Sequence, residues 1–177
     1  MLRLAESPTE ALACDQALSL AQFQRRWPGL DPTALPGAVV VEREVAEITK
    51  ARPRRVAFVV REALHEAAGF ALRHLAGVAE MRYALGARPQ DWQTDAGAVH
   101  LDATPDALWW SPEGVAAIEY DIRYNRDLVL RKARDYRRIY VRQYWGATRL
   151  SRVRYLQRLL GPEDRARVLL APWTGEG

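Results

Sequence analysis

The chain has 177 residues, of which 49% are hydrophobic and 27% charged, with a formal net charge of +4. This is the composition of a folded protein with one or two small domains and excludes a disordered chain. The single cysteine, Cys14, excludes an intramolecular disulfide and a cysteine-based zinc centre. Nothing reads as a signal peptide or a membrane-length apolar run, so the expected location is cytoplasmic with no membrane partner.

In chain order, Ser7-Pro8-Thr9-Glu10 is a capping box with proline at the first helical position, and Ser19 with Gln22 repeats the cap before a short helix ending at Trp27-Pro28-Gly29. Asp31-Pro32 opens a further turn. Residues 38–48 and 54–61 read as β-rich segments around the basic tip Lys50-Ala51-Arg52-Pro53-Arg54-Arg55. Helix, helix and basic-tipped hairpin is the order of a winged helix-turn-helix, in which one helix enters the major groove and Arg52, Arg54 and Arg55 of the wing touch the DNA backbone. Residues 62–85 read as a helix interrupted by Gly69 and Gly77 and closed by Gly86. The expected division is therefore a DNA-binding segment over residues 1–61 and an α/β core over residues 62–177. The whole is an α+β fold, with a mixed sheet flanked by the helices that carry Glu80 and Lys132.

The chemistry concentrates in the core. Residues 100–110 and 115–121 alternate as two strands joined by the turn Ser111-Pro112-Glu113-Gly114. Alternation puts Glu119 and Asp121 on one face of the second strand, and pairing across the turn brings Asp106 towards the Glu119 end. Hard carboxylate oxygens in that number suit magnesium or manganese, with positions left for water and phosphate. Glu80 is a further carboxylate within the expected neighbourhood. Residues 125–142 then read as a helix capped by Asn125, with Val129, Ala133, Tyr136 and Tyr140 in an apolar stripe and Arg131, Arg134, Arg138 and Arg142 in a cationic one. Lys132 borders the packed face beside Leu128 and Tyr136. It is one of two lysines, with Lys50, against 24 arginines, so a compact ammonium is singled out where guanidinium is otherwise the rule. Residues 123–167 hold fourteen Arg or Lys against four Asp or Glu, a local net charge of +10, which points to a phosphate-bearing partner. Trp109, Trp110, Trp145 and Trp173 read as core rather than as base-stacking platforms. His65, His74 and His100 show no metal-ligand spacing and read as structural. A last strand is expected over residues 166–170.

Pro105-Asp106, the acid pair Glu119-Tyr120-Asp121 and the basic helix behind them resemble the core of the PD-(D/E)xK nuclease superfamily, with Asp121 standing where that pattern ends in lysine. More closely, Pro105-Asp106-Ala107-Leu108, Ile118-Glu119-Tyr120-Asp121, Lys132 and Tyr136 resemble the replication-relaxation family of bacterial plasmid and mobile-element proteins. That resemblance implies a winged-helix segment before a nuclease-like core. It also implies a catalytic set of Asp106, Glu119, Asp121 and Lys132, with magnesium or manganese held by the three acids and Lys132 substituting for the missing lysine. The expected function is DNA binding, with metal-dependent phosphodiester hydrolysis as its enzymatic form. Two alternatives stay open: a non-catalytic DNA-binding regulator, and a protein-interaction module whose arginines meet an acidic partner. A homodimer is compatible with each.

Overall fold

The structure, a computed structural model, describes residues 6–46, 52–95, 104–122 and 124–174. Its α+β architecture holds five α-helices and two sheets among these residues. Helix α1 (Pro8–Asp15) begins with the expected box. Glu10 N donates to Ser7 Oγ at 3.2 Å, and Ser7 N donates to Glu10 Oε2 at 3.1 Å. A short strand β1 (Ala17–Ser19) leads into α2 (Leu20–Arg26), whose Ser19/Gln22 box closes at 2.8 and 3.1 Å. The second box is also a buried junction. Ser19 Oγ donates to the Trp173 carbonyl at 2.6 Å, and Gln22 Nε2 donates to the Ala76 carbonyl at 2.9 Å.

Strands β2 (Ala38–Val45) and β3 (Arg54–Arg61) pair antiparallel, giving a small sheet ordered β1-β3-β2. Two helices, a 3-10 turn at Pro32–Ala34 and the hairpin follow one another in the expected order. The basic residues of α2 are paired within the molecule. Arg25 meets Glu80 at 2.7 Å, and the buried Arg26 lies 3.6 Å from both Asp15 and Glu80. Residues 47–51, which include Lys50, lie outside the described residues.

The predicted helix over residues 62–85 is two pieces, a 3-10 turn at Glu62–Leu64 and α3 (Gly69–Leu85), which ends on Gly86 at φ 66° as expected. Gly69 starts the helix rather than interrupting it, because a side chain there would collide with the Glu44 carbonyl. Helix α3 packs on both sheets. One core cluster unites Phe58 and Val60 of β3, Leu72, Leu75 and Val78 of α3, Trp173, and residues of the second sheet, so packing runs continuously across residues 61 and 62.

The second sheet, ordered β4-β5-β6-β7-β8, comprises β4 (Trp92–Thr94), β5 (Ala107–Ser111), β6 (Gly114–Tyr120), β7 (Arg142–Ala147) and β8 (Ala166–Leu170). Strands β4, β5 and β6 run antiparallel, and β6, β7 and β8 run parallel. The parallel steps need crossovers. Helix α4 (Arg126–Ile139) supplies the first and α5 (Leu150–Leu159) the second. Ala116, Ile118 and Tyr120 of β6 join the α3 core, whereas Ala117 joins Val129, Ala133 and Tyr136 of α4 and Val153 and Leu156 of α5. The sheet is thus covered on both faces, with α3 on one side and α4 and α5 on the other. Two contacts seat α3 closely: Gly77 lies against the Tyr120 ring and Met81 against Gly146.

Candidate functional site

Sequence alternation on β6 sends Glu119 to the α4 face, and hairpin register fixes its neighbour. Ala107 pairs with Ile118, so Asp106, one residue earlier, comes beside Glu119. Tyr120 N donates to Asp106 Oδ2 at 2.6 Å, locking that carboxylate to the strand. Lys132, one turn into the buried side of α4, donates from Nζ to Glu119 Oε1 at 2.7 Å, and Tyr136, one turn further on, donates its hydroxyl to Glu119 Oε2 at 2.6 Å. The i, i+4 spacing of Lys132 and Tyr136 lets one helix face grip both oxygens of one carboxylate. The structure therefore brings Asp106, Glu119 and Lys132 together. Each is at most 3% exposed, so none is the solvated strand-face or snorkelling residue that the same pattern also allows.

Asp121 goes elsewhere. Its side chain is gripped by Arg152 of α5, with Nη2 to Oδ2 at 2.6 Å and Nε to Oδ1 at 3.1 Å, and it accepts the Tyr124 amide at 3.2 Å. Glu80 lies away from the cluster, bound to Arg25 and to Gln22 Nε2, because six helical positions rotate it about 240° from His74. Among the described residues, no three of His, Cys, Asp and Glu stand together as a metal-holding group. The donor chemistry that remains is a two-carboxylate set, Asp106 and Glu119. Hard cations that keep water and phosphate ligands need no more than that. Asp106 Oδ1 has no aligned hydrogen bond, although it lies 3.1 Å from His74 Nε2.

His74 is the residue that sequence reading missed. It is 1% exposed on α3, neither of its ring nitrogens has an aligned hydrogen-bond partner, and its nearest charge is Asp106. Burial pulls its pKa down, and the Asp106 carboxylate outweighs that and holds it above the ordinary value. No spacing signal links His74 to Asp106, because one sits in a helix and the other at a strand start 32 residues later. Arg152 was missed for the same reason. Tyr136 belongs both to the apolar stripe and to the family resemblance, and its hydroxyl serves the site.

The electrostatics follow from burial. Glu119 is pushed up to about 8 by loss of hydration, then by the neighbouring Asp106, against the opposing pull of Lys132 and the Tyr136 hydroxyl. The Tyr124 and Tyr136 phenols are pushed above their ordinary range, first by burial and then by nearby carboxylates, Asp106 foremost for Tyr124 and Glu119 for Tyr136. Burial thus favours the neutral form of both phenols.

The predicted DNA-contacting arginines divide. Arg131, Arg134 and Arg138 are exposed on α4, with Arg138 3.9 Å from Asp135. Arg142 is not on that helix. The helix stops at Ile139, Tyr140 adopts extended geometry (φ −108°, ψ 148°), and Arg142 opens β7, paired with Glu113 at 2.7 Å. Beside the β2–β3 hairpin Arg52 and Arg55 are exposed, Arg55 lies 3.9 Å from Glu42, and Arg54 is half-buried at the start of β3. Helix α5 adds exposed Arg154 and Arg158, so α4 and α5 together present a cationic surface over the sheet face that holds Glu119. Of the tryptophans, Trp145 and Trp173 are fully buried, as expected of core, whereas Trp110 is 45% exposed. Among the described residues no helix is long and apolar enough to cross a membrane. The chain matches no family model, no curated protein and no solved structure.

Proposed function

We propose that the chain is a DNA-binding protein whose nuclease-like core presents α4 and α5 to the phosphate backbone. The observation that carries this reading is the shared cationic face: exposed Arg131, Arg134, Arg138, Arg154 and Arg158 on two adjacent helices, with only Asp127 and Asp135 as acids on either. Such a surface lowers the free energy of a polyanion by releasing its counterions. The resemblance to plasmid and mobile-element replication proteins supports the same class of partner. The β2–β3 hairpin with Arg52, Arg54 and Arg55 is a second, smaller contact in this reading, in the manner of a wing.

A catalytic form of the reading is favoured by one further observation, the juxtaposition of Asp106, Glu119 and Lys132 beside the arginine face. Asp106 and Glu119 would hold magnesium or manganese, and such an ion supplies a more acidic bound water and a polarised phosphate. Lys132 then neutralises charge developing on the phosphate, and Tyr136 keeps Glu119 oriented. Asp121 positions Arg152 in this scheme. Glu119 must shift from Lys132 before it can serve as a ligand.

Purified protein incubated with labelled duplex and single-stranded DNA, with manganese or with chelator, tests both forms. The expected result is a mobility shift that weakens as salt rises. It should be accompanied, in the catalytic form, by manganese-dependent cleavage that Glu119→Gln abolishes without loss of the shift. A salt-sensitive shift with no cleavage at any metal concentration leaves a DNA-binding platform. No shift on either DNA removes the function proposed.

A further inference from the structure

Beyond the carboxyl ends of the parallel strands β6 and β7 lies a cleft of about 320 Å³, walled by α3, the two strand ends and the first turn of α5. Ligands in sheets of this kind gather at such strand ends. Three arginines reach the cleft from separate places: Arg73 from α3, Arg149 from the N-cap of α5 and Arg152 from its first turn. Asp121 is the one carboxylate in the lining. Three cations against one anion leave a net +2 in a small space, which selects an anionic ligand.

Arg152 is held in place before any ligand arrives. Asp121 takes its Nε and Nη2, the Tyr124 carbonyl accepts a further bond from Nη2 at 2.6 Å, and its guanidinium lies 4.4 Å from the Tyr155 ring centroid. Asp121 takes the two-nitrogen edge of this guanidinium, so Arg152 offers a ligand a fixed positive charge rather than a bidentate fork. Ser151 adds a hydroxyl to the lining, and α5 begins at the cleft with no side-chain cap from Arg149. A second cleft of about 360 Å³, lined by Glu44 and Phe70, shares Arg73 and Ile122 with the first, so the anion-selecting charge belongs to the first cleft.

We propose that this cleft binds a phosphate group carried by a nucleotide or a nucleic acid strand. The assignment deepens the DNA-binding reading by adding a defined phosphate position, but it uses none of the α4 arginines and is tested apart from them.

The experiment is calorimetric titration of the full chain with dAMP and with two oligonucleotides of one sequence, one bearing a 5′-phosphate and one a 5′-hydroxyl. Arg149→Gln and Arg73→Gln are each expected to weaken binding about tenfold, the scale of one lost charge-assisted contact. Arg149 is exposed at a helix cap, so its variant keeps the fold. Preference for the phosphorylated oligonucleotide places a terminal phosphate in the cleft, and equal binding that both variants weaken places a backbone phosphate there. Either supports the assignment. No binding of any probe, or affinities unchanged in both variants, overturns it. An Arg134→Gln/Arg138→Gln variant separates the two ideas. If it alone weakens duplex binding, the α4 face stands and the cleft falls. If only the cleft variants weaken binding, the cleft stands and the α4 face falls.

Discussion

The two faces of β6 solve opposite problems with alternate residues of one strand. Towards α3 the strand presents Ala116, Ile118 and Tyr120, and the contact is steric: Gly77 admits the Tyr120 ring and Gly146 admits Met81. Towards α4 and α5 it presents Ala117 and Glu119, with Asp121 just beyond its end, and the contact is electrostatic: Lys132 and Tyr136 hold one acid and Arg152 the other. A carboxylate on a sheet face that sees water needs no partner, whereas one covered by a helix must be paired or protonated. Covering both faces is therefore what fixed two acidic residues at strand spacing on separate partners.

The largest expected effect tests the electrostatic face. Lys132→Met leaves Glu119 buried without its cation, a change that costs about 3–5 kcal/mol when the stranded charge is retained. Glu119 can avoid that cost by keeping its proton. Its pKa of about 8 already stands above the ordinary 4.5. The stability this group contributes is thus fully present below 4.5 and lost as pH rises through about 8. Denaturant titrations of Lys132→Met should show a larger loss at pH 9 than at pH 6. Glu119→Gln should flatten the wild-type decline between those limits. A Lys132→Met loss that is the same at both pH values would mean that Glu119 is ionised throughout and that the pair is an ordinary ion pair.

The steric face predicts a smaller loss without pH dependence. A Cβ on Gly77 would lie 2.2 Å from the Tyr120 ring, and overpacking of this kind costs about 1–3 kcal/mol, outweighing the gain of roughly 1 kcal/mol that alanine brings to a helix interior. Gly77→Ala should therefore lower the denaturation midpoint, and adding Tyr120→Leu should restore part of it. A stabilised single variant would show that α3 can shift on the sheet.

The same contrast explains what could be read from sequence. Caps are local, so Ser7/Glu10, Ser19/Gln22, Asn125 and Gly86 stood out within four residues of the helix ends they fix. Alternation and a turn gave β6, the part of β5 next to the turn and the approach of Asp106 to Glu119, but β5 starts only at Ala107, with Thr104, Pro105 and Asp106 ahead of it and residues 100–103 outside the described residues. The pairings that complete the site are long-range: His74 to Asp106, Arg152 to Asp121, and the parallel ladder of β7 on β6. Strand β7 was hidden because its residues Gln143, Tyr144 and Trp145 are buried on both faces and show no alternation. Helix α5 was hidden among arginines, its apolar positions Val153 and Leu156 too few to announce a helix. Glu80 looked available because its partners, Arg25 and Gln22, are more than fifty residues away.

Arg142 gives the smallest effect and the sharpest separation of helix face from strand start. As a fourth member of the α4 stripe it would share in phosphate binding, and its loss would reduce the salt slope of DNA affinity by about one, like the loss of Arg134. In the structure it opens β7, two residues beyond the Tyr140 cap, and pairs with Glu113 at the β5–β6 turn, with both side chains substantially exposed. Exposed pairs of this kind contribute at most about 1 kcal/mol. Arg142→Gln should accordingly change stability by less than that and leave the salt dependence of duplex binding at the wild-type slope, while Arg134→Gln lowers it. Equal slopes for the two variants would mean that DNA contact extends past the end of α4 onto the turn-side end of the sheet. The cationic surface would then be defined by the sheet edge as much as by the helices.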